Sequence, residues 1–195
     1  MVRRSLSGRM TRMLMVCGLA VALLSTMRMA TASPIHDPGC GSLRVCIANE
    51  ARYEFSNDDG HKFEHPAGSN CNFFSTQWHA DAPKCDNGMY AEAWCMDFVH
   101  WVYKQEGASV SGLGSLPHLA SSAKVYGQNH NTWHPNTPHV GDMALWNSNE
   151  HVEIVISVDS ATKHITTISG NWSDQISKKT EPWSSYIGFA SPVAA

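Results

Sequence analysis

A single cysteine left over from an even set is the feature that most constrains how this chain can fold. Once an N-terminal export signal is removed, Cys40, Cys46, Cys71 and Cys85 can pair among themselves, which leaves Cys95 over. An odd cysteine in an exported protein forms an intermolecular bridge or carries a reactive thiol. Cys95 stands at the start of an apparent helix, a position that favours a thiolate, so the chain must be searched for a base.

The segment that begins at Cys95 has the clearest helical pattern. Trp94, Phe98, Trp101 and Val102 recur at i, i+4, i+7 and i+8, which is the spacing of one buried helix face. The pattern predicts an amphipathic helix with Cys95 in its first turn. Two further helices are expected, over residues 45–55 and 117–125.

Later in the chain the apolar residues recur with a period of two, which indicates strands. We expect a short buried strand over residues 142–146. A second strand over residues 152–158, apolar on one face, should pair with residues 165–170. A run of helices followed by a run of strands indicates an α+β fold.

The register of this hairpin decides which side chains meet. A five-residue turn over residues 159–163 has suitable turn chemistry, and it pairs Val158 with His164. Counting outward, His151 then lies opposite Asn171 on the same face, with Cβ atoms about 5 Å apart. A slip of one residue would put the two side chains on opposite faces.

These residues supply the parts of a nucleophilic site. Cys95 is the candidate nucleophile, His151 the base and Asn171 the residue that orients the imidazole. Beside a histidine and a helix N-terminus, the pKa of the Cys95 thiol should be strongly lowered. A neutral asparagine is sufficient if the resting state is a thiolate–imidazolium pair. The backbone N–H of Cys95 is the expected oxyanion donor, with Tyr90 as a possible second one.

The N-terminus has the pattern of an export signal. Four arginines precede an apolar stretch over residues 13–24, which is short for a membrane span, and a small-residue cleavage site follows at residues 30–32. A retained anchor is the alternative interpretation. We expect a signal peptide over residues 1–32 and a secreted protein, extracellular or associated with a cell wall, without a membrane contact after cleavage.

Charge narrows the range of partners. Cleavage would remove five of the 14 basic residues and none of the 17 acidic ones, which leaves nine against 17 and a net charge of −8. This balance argues against nucleic acid as a partner, since phosphate binding needs basic clusters. About 160 residues are enough for one domain with a real core, and we expect a monomer.

The four pairing cysteines allow three connectivities. We favour Cys40–Cys46 and Cys71–Cys85, because both close short loops in turn-rich sequence and export permits disulfides. A zinc site is the alternative, but the chain has no Cys-x-x-Cys pair.

A group of histidines in one loop has the spacing of a metal site. His130, His134 and His139 lie close in sequence, without a nearby cysteine or glutamate pattern. We interpret them as part of a polar loop. The sequence therefore predicts no metal and no cofactor.

Four stretches resemble the CHAP domain, the cysteine, histidine-dependent amidohydrolase/peptidase family. They are Trp94-Cys95-Met96-Asp97-Phe98-Val99-His100-Trp101-Val102, Pro138-His139-Val140-Gly141-Asp142-Met143-Ala144-Leu145-Trp146, His151-Val152-Glu153-Ile154-Val155 and Ile165-Thr166-Thr167-Ile168-Ser169-Gly170-Asn171. The resemblance covers roughly residues 88–175, and the order and spacing of these stretches are more specific than any one of them.

The resemblance implies a papain-like fold, in which the helix that carries the nucleophile packs on a small antiparallel sheet. It implies hydrolysis of amide bonds in bacterial peptidoglycan by Cys95, His151 and Asn171, as an amidase or an endopeptidase. Together with the export signal and the disulfides, it gives three expected segments: a signal peptide over residues 1–32, a disulfide-stapled segment over residues 33–87 and a CHAP-like catalytic domain over residues 88–195.

The chain departs from the family pattern at two positions. Met96 is bulkier than the small residue that often follows the cysteine, and Glu150 replaces the usual small residue before the histidine. Both would narrow a substrate cleft. The aromatic residues that we name as cleft candidates are Tyr90, Trp94, Trp146 and Trp172.

Two alternative functions stay open. Besides the hydrolase just described, the chain could be a secreted binding or toxin-type module that keeps the fold without the chemistry. The third reading is a thiol protease with a substrate outside the cell wall.

Overall fold

The structure is a computed structural model that describes residues 39–58, 62–78 and 82–195. The predicted signal peptide over residues 1–32 lies outside the described residues. Within the described part, no helix combines the length and the apolar character that a membrane span requires. Contacts group Ser33–Ala195 into one compact unit, and the boundary expected at residues 87/88 stays a prediction.

Helices come mainly from the first half of the described chain. The helix expected over residues 45–55 is longer than predicted and has Ser42 as its N-cap. The helix expected from residue 117 begins only at Ser122, because residues 116–121 form successive turns. The α-helices of the described part are α1 (Leu43–Asn57), α2 (Phe73–Trp78), α3 (Cys95–Gln105) and α4 (Ser122–Asn129).

The described strands form two antiparallel sheets. A two-stranded sheet consists of β1 (Cys71–Asn72) and β2 (Tyr90–Ala91). The six-stranded sheet has the order β3-β8-β4-β5-β6-β7. Its strands are β3 (Trp133–His134), β4 (Met143–Trp146), β5 (Val152–Asp159), β6 (His164–Ser169), β7 (Ser177–Pro182) and β8 (Tyr186–Ala190). Helices together with antiparallel sheets confirm the α+β class.

The predicted register of the β5–β6 hairpin is wrong at the turn and right at the other end. Asp159 pairs with His164, so the turn has four residues and not five. A β-bulge between Val155 and Ser157 inserts one extra residue into β5. Beyond the bulge, Ile154 pairs with Ile168 as predicted. The bulge compensates for the shorter turn, because it shifts the register by one residue.

Both faces of β5 are buried, whereas the alternation of its residues predicted one apolar face. On one face, Ile154 joins the main core with α1 and α3. On the other face, Val155 packs with Ile165, Tyr186 and Phe189 in a second cluster. A polar side chain on either face of β5 is therefore removed from water and needs partners there.

The cysteines pair as predicted. Cys40 is bonded to Cys46 at the start of α1, and Cys71 to Cys85 beside the two-stranded sheet. Cys95 is the free cysteine of the described residues, and it is buried.

Candidate active site

The first turn of α3 is held in place from the side of α2. Trp94, the residue before the helix, is fully buried, and its indole N–H donates to Glu64 Oε2 at 2.7 Å. Its ring is stacked on Phe74 of α2, with ring centroids 5.4 Å apart. These contacts fix the backbone from which Cys95 starts, at the helix end where the macrodipole is positive.

Helix α3 also approaches the end of β6 very closely. A Cβ built on Gly170 would lie 2.5 Å from Trp94 Cε3 and 2.7 Å from the Cβ of Phe98. Any side chain at this position would push the helix away from the sheet. The glycine thus sets the distance between the turn that carries Cys95 and the strands that carry the other candidate residues.

The Cys95 thiol lies beside the beginning of β5. The backbone N–H of Val152, the residue that follows His151, is near enough to stabilise a negative charge on the Cys95 sulfur. The backbone N–H groups of Met96 and of Cys95 itself also stabilise the thiolate. The structure therefore brings the start of α3 and the start of β5 together, as a thiol–imidazole site requires.

The expected thiolate–imidazolium pair is not the resting state. Burial raises the pKa of Cys95 to about 11, against the effect of the surrounding backbone N–H groups. Burial, together with the positive charge of Lys179, lowers the pKa of His151 to about 4. The prediction of a lowered thiol pKa is wrong because desolvation outweighs the helix dipole. At neutral pH both groups are uncharged.

His151 has a different polar neighbour from the one predicted. Its Nε2 lies 3.6 Å from Oε1 of Glu153, and its ring makes an edge contact with Trp172, 5.1 Å between centroids. Asn171 takes a left-handed conformation with φ of 59°, and its amide donates to Oδ1 of Asn70 at 3.3 Å. Among the described contacts, no hydrogen bond joins Asn171 to His151.

The sequence contains a signal for Glu153 that the apolar pattern alone does not reveal. The residue stands two positions after His151 on the same strand, so the two side chains share a face. The alternation made that face look solvent-exposed, and a glutamate is unremarkable there. In the structure the same face is covered and Glu153 is fully buried.

Cys95 opens into a cleft of about 660 Å³. Glu150, one of the two departures from the family pattern, lines this cleft, whereas Met96 is fully buried in the core. The remaining lining residues come mostly from the loops before α3 and α4: Ala82, Pro83, Glu92, Ala93, His118, Leu119, Ala120, Ser121 and Asn149.

None of the four predicted aromatic cleft candidates lines this cleft. Trp94 belongs to the core, because its indole is completely enclosed between α2 and α3. Trp146 and Trp172 are stacked on one another, 5.7 Å between centroids, beside His151. Tyr90 is half-buried in the two-stranded sheet.

The histidine-rich loop forms a charge network around a buried carboxylate. Asp142 is fully buried, and the side-chain atoms of His134, His139 and Asp142 that could ligate a metal lie within 4.8 Å of one another. Arg44 of α1 donates to Oδ1 of the same carboxylate. Because this cation already occupies one oxygen, we interpret the group as a link between α1 and the turn before β4. His130 is not part of it.

Of three comparisons with known proteins, one found a match. The sequence model of the CHAP domain matches residues 85–171, a stretch that contains Cys95, His151 and Asn171. No curated protein and no solved structure matches the chain significantly. Residues 85–171 thus match the CHAP domain, the domain of cysteine- and histidine-dependent amidohydrolases and peptidases.

Proposed function

We propose that the protein is a secreted thiol hydrolase that cleaves an amide or peptide bond of bacterial peptidoglycan, as an N-acetylmuramoyl-L-alanine amidase or an endopeptidase. One observation carries the proposal: Cys95 begins α3, opens into a cleft and contacts the backbone next to His151. The match to the CHAP domain supports the choice of substrate. The two disulfides support export, because such bonds persist in oxidising compartments.

The uncharged resting state determines how the attack proceeds. As the sulfur of Cys95 bonds to the carbonyl carbon, the thiol proton passes to His151, which acts as a general base. The carbonyl oxygen becomes an oxyanion, and the first backbone N–H groups of a helix have no intrahelical partner to compete for it. The backbone N–H of Cys95 is therefore the donor that we assign to the oxyanion.

Completion of the reaction returns the enzyme to its starting state. The protonated His151 gives its proton to the leaving amine, and the carbon–nitrogen bond breaks to leave a thioester on Cys95. Water, deprotonated by the same imidazole, then attacks the thioester carbon, the carbon–sulfur bond breaks to release the acid, and His151 returns the proton to the sulfur of Cys95. No metal or redox cofactor is needed for these steps. Asn171 remains an orienting residue predicted from the sequence.

A zymogram with purified sacculi tests the proposal. Cys95→Ala and His151→Ala should each abolish the clearing that the wild-type protein produces. Thermal unfolding of both variants checks that they are folded, and Ser160→Ala in the distant β5–β6 turn is the control that should keep full activity. Unchanged clearing by the Cys95→Ala protein would contradict the proposal. Mass spectrometry of products from a defined muropeptide then distinguishes amidase from endopeptidase.

The raised pKa of Cys95 favours a second candidate, a secreted binding module without hydrolase activity. Such a module would be retained on sacculi and would release neither amines nor soluble peptides. A thiol protease with another substrate would be neither retained nor active on sacculi, yet would lose its peptidase activity on iodoacetamide treatment.

A further inference from the structure

Two buried polar atoms face each other beside the nucleophile and lack hydrogen-bond partners. Nε2 of His151 and Oε1 of Glu153 are both enclosed, and neither makes a hydrogen bond among the described residues. They lie 3.6 Å apart. An unpaired buried polar atom is unfavourable, because its hydrogen bonds to water are lost and not replaced. Two such atoms at this separation are best explained as one hydrogen bond that is not yet closed.

The other oxygen of Glu153 is firmly held. Its Oε2 accepts hydrogen bonds from Thr167 Oγ1 at 2.5 Å and from the Tyr186 hydroxyl at 2.6 Å. The donors come from β6 and from the first residue of β8, on two sides of the carboxylate. With Oε2 saturated in this way, Oε1 is fixed in direction and is left available to the imidazole.

The surroundings of the pair contain one further charge. Lys179 of β7 influences the titration of His151 electrostatically and is itself affected by Glu153. Its Nζ lies over the rings of Trp146 and Trp172. The Trp172 ring covers the edge of the imidazole. Among the described residues, Lys179 and the Trp172 ring thus lie beside the imidazole, and both atoms of the contact are enclosed.

We propose that Glu153, and not Asn171, is the positioning residue that orients the imidazole of His151. The inference rests on the proposed function, because it assigns a role within that site. Donation from Nε2–H to Oε1 selects the tautomer in which Nδ1 is unprotonated and basic. Closing the contact requires the two atoms to approach by less than about 1 Å, and catalytic hydrogen bonds in unliganded structures are often long.

A carboxylate in this position can compensate the positive charge that forms on His151, which an asparagine cannot do. The resting thiol and imidazole are both uncharged, so the positive charge on His151 arises during attack, when the proton moves from sulfur to Nδ1. In this role a carboxylate stabilises the new imidazolium through its negative charge and takes no part in proton transfer. An amide would orient the ring without compensating this charge.

The decisive comparison is between Glu153→Gln and two further variants. Glutamine preserves the shape and the acceptor oxygen but removes the charge. We expect kcat on sacculi to fall by about 10³-fold or more with KM little changed, by analogy with loss of the acid in a serine triad. Tyr186→Phe removes one hydrogen bond from Oε2 and leaves Oε1 in place, so it should lower kcat by less than about tenfold. Glu181→Gln, the same chemical change on β7, should leave kcat unchanged.

Structural damage and catalytic positioning give different patterns. If Glu153 only stabilises the fold, Glu153→Gln and Tyr186→Phe would lower activity in proportion to their loss of thermal stability, and this outcome would overturn the proposal. A loss of kcat for Asn171→Ala larger than that for Glu153→Gln would overturn it as well.

A spectroscopic measurement keeps the inference separate from the substrate. In ¹⁵N-labelled protein, the His151 ring should be the Nε2–H tautomer at pH 7, and Glu153→Gln should shift its Nε2 proton upfield or populate the other tautomer. If the wild-type protein does not cleave sacculi, the proposed function fails while this measurement still decides the role of Glu153. A wild-type Nδ1–H tautomer would refute the positioning role.

Discussion

Gly170 lies so close to Trp94 that a Cβ at this position would come within 2.5 Å of the indole ring. The contact joins the end of β6 to the turn that carries Cys95. It makes the active-site geometry depend on the absence of one side chain.

Gly170→Ala should therefore cost about 1–3 kcal/mol of unfolding free energy, the usual range for an overpacked core, and should reduce hydrolysis beyond that loss. Urea denaturation together with a zymogram measures both effects. Gly41→Ala is the matched control, because its Cβ would meet nothing within 4 Å and only its left-handed backbone, φ of 84°, is strained. If Gly170→Ala costs no more than Gly41→Ala, the contact with Trp94 does not limit the fold.

The reactivity of Cys95 should increase with pH far beyond neutrality. Burial raises the pKa of its thiol to about 11, so the thiolate fraction at pH 7 is about two orders of magnitude below that of a free cysteine of pKa about 8.5. The rate of iodoacetamide alkylation should rise about tenfold per pH unit from pH 7 to pH 10. A rate that is already constant near pH 6 would instead indicate a preformed thiolate.

Acid should destabilise the protein through its buried histidines. Burial lowers the pKa of His100 to about 4, while the unfolded chain takes up the proton near pH 6.5. The stability that depends on neutral His100 is complete above pH 6.5 and is lost as the pH falls towards 4, by about 3 kcal/mol. His100→Phe should reduce the drop in unfolding free energy between pH 7 and pH 4, measured by urea titration at each pH. An identical drop would show that His100 is solvated.

Glu50 of α1 should show the opposite dependence. Burial, with the nearby charges of Glu54 and Glu106, raises the pKa of Glu50 to about 7. The folded state therefore holds a proton between pH 4.5 and 7 that the unfolded chain has released, and stability falls as the pH rises through this window. Glu50→Gln should raise the melting temperature at pH 8 and leave it nearly unchanged at pH 5. Equal effects at the two pH values would contradict the assigned cause.

Elements with a regular spacing of apolar residues could be predicted from the sequence. The β-bulge and the shorter turn of the β5–β6 hairpin, which compensate for each other, could not. The apolar spacing after Cys95 is regular enough to identify α3, and two short loops are enough to pair the disulfides. The edge strand β7 contains Ser177-Lys178-Lys179-Thr180-Glu181-Pro182, which has no apolar pattern, so it was not foreseen. Its Lys179 nevertheless lies beside the candidate base.

The same contrast between local pattern and tertiary packing explains why only part of the candidate site could be predicted. Cys95 and His151 follow from residue type and position, but the polarity of their environment depends on tertiary packing. That packing buries both faces of β5, reverses the expected pKa shifts and places Glu153 next to the imidazole. The burial of both faces and the reversed pKa shifts leave no mark in local sequence, whereas the two-residue spacing of His151 and Glu153 does.

The β-bulge in β5 has a consequence for how the hairpin tolerates change. The extra residue lies between the turn and the paired positions Ile154 and Ile168. It therefore separates the hydrogen-bonded ladder into two parts whose registers differ by one residue. The tip of the hairpin can gain or lose a residue, or accept a grafted loop, if the bulge is removed or doubled in step. The end that carries His151 then keeps its alignment, and the turn becomes the natural insertion point for labels or affinity tags.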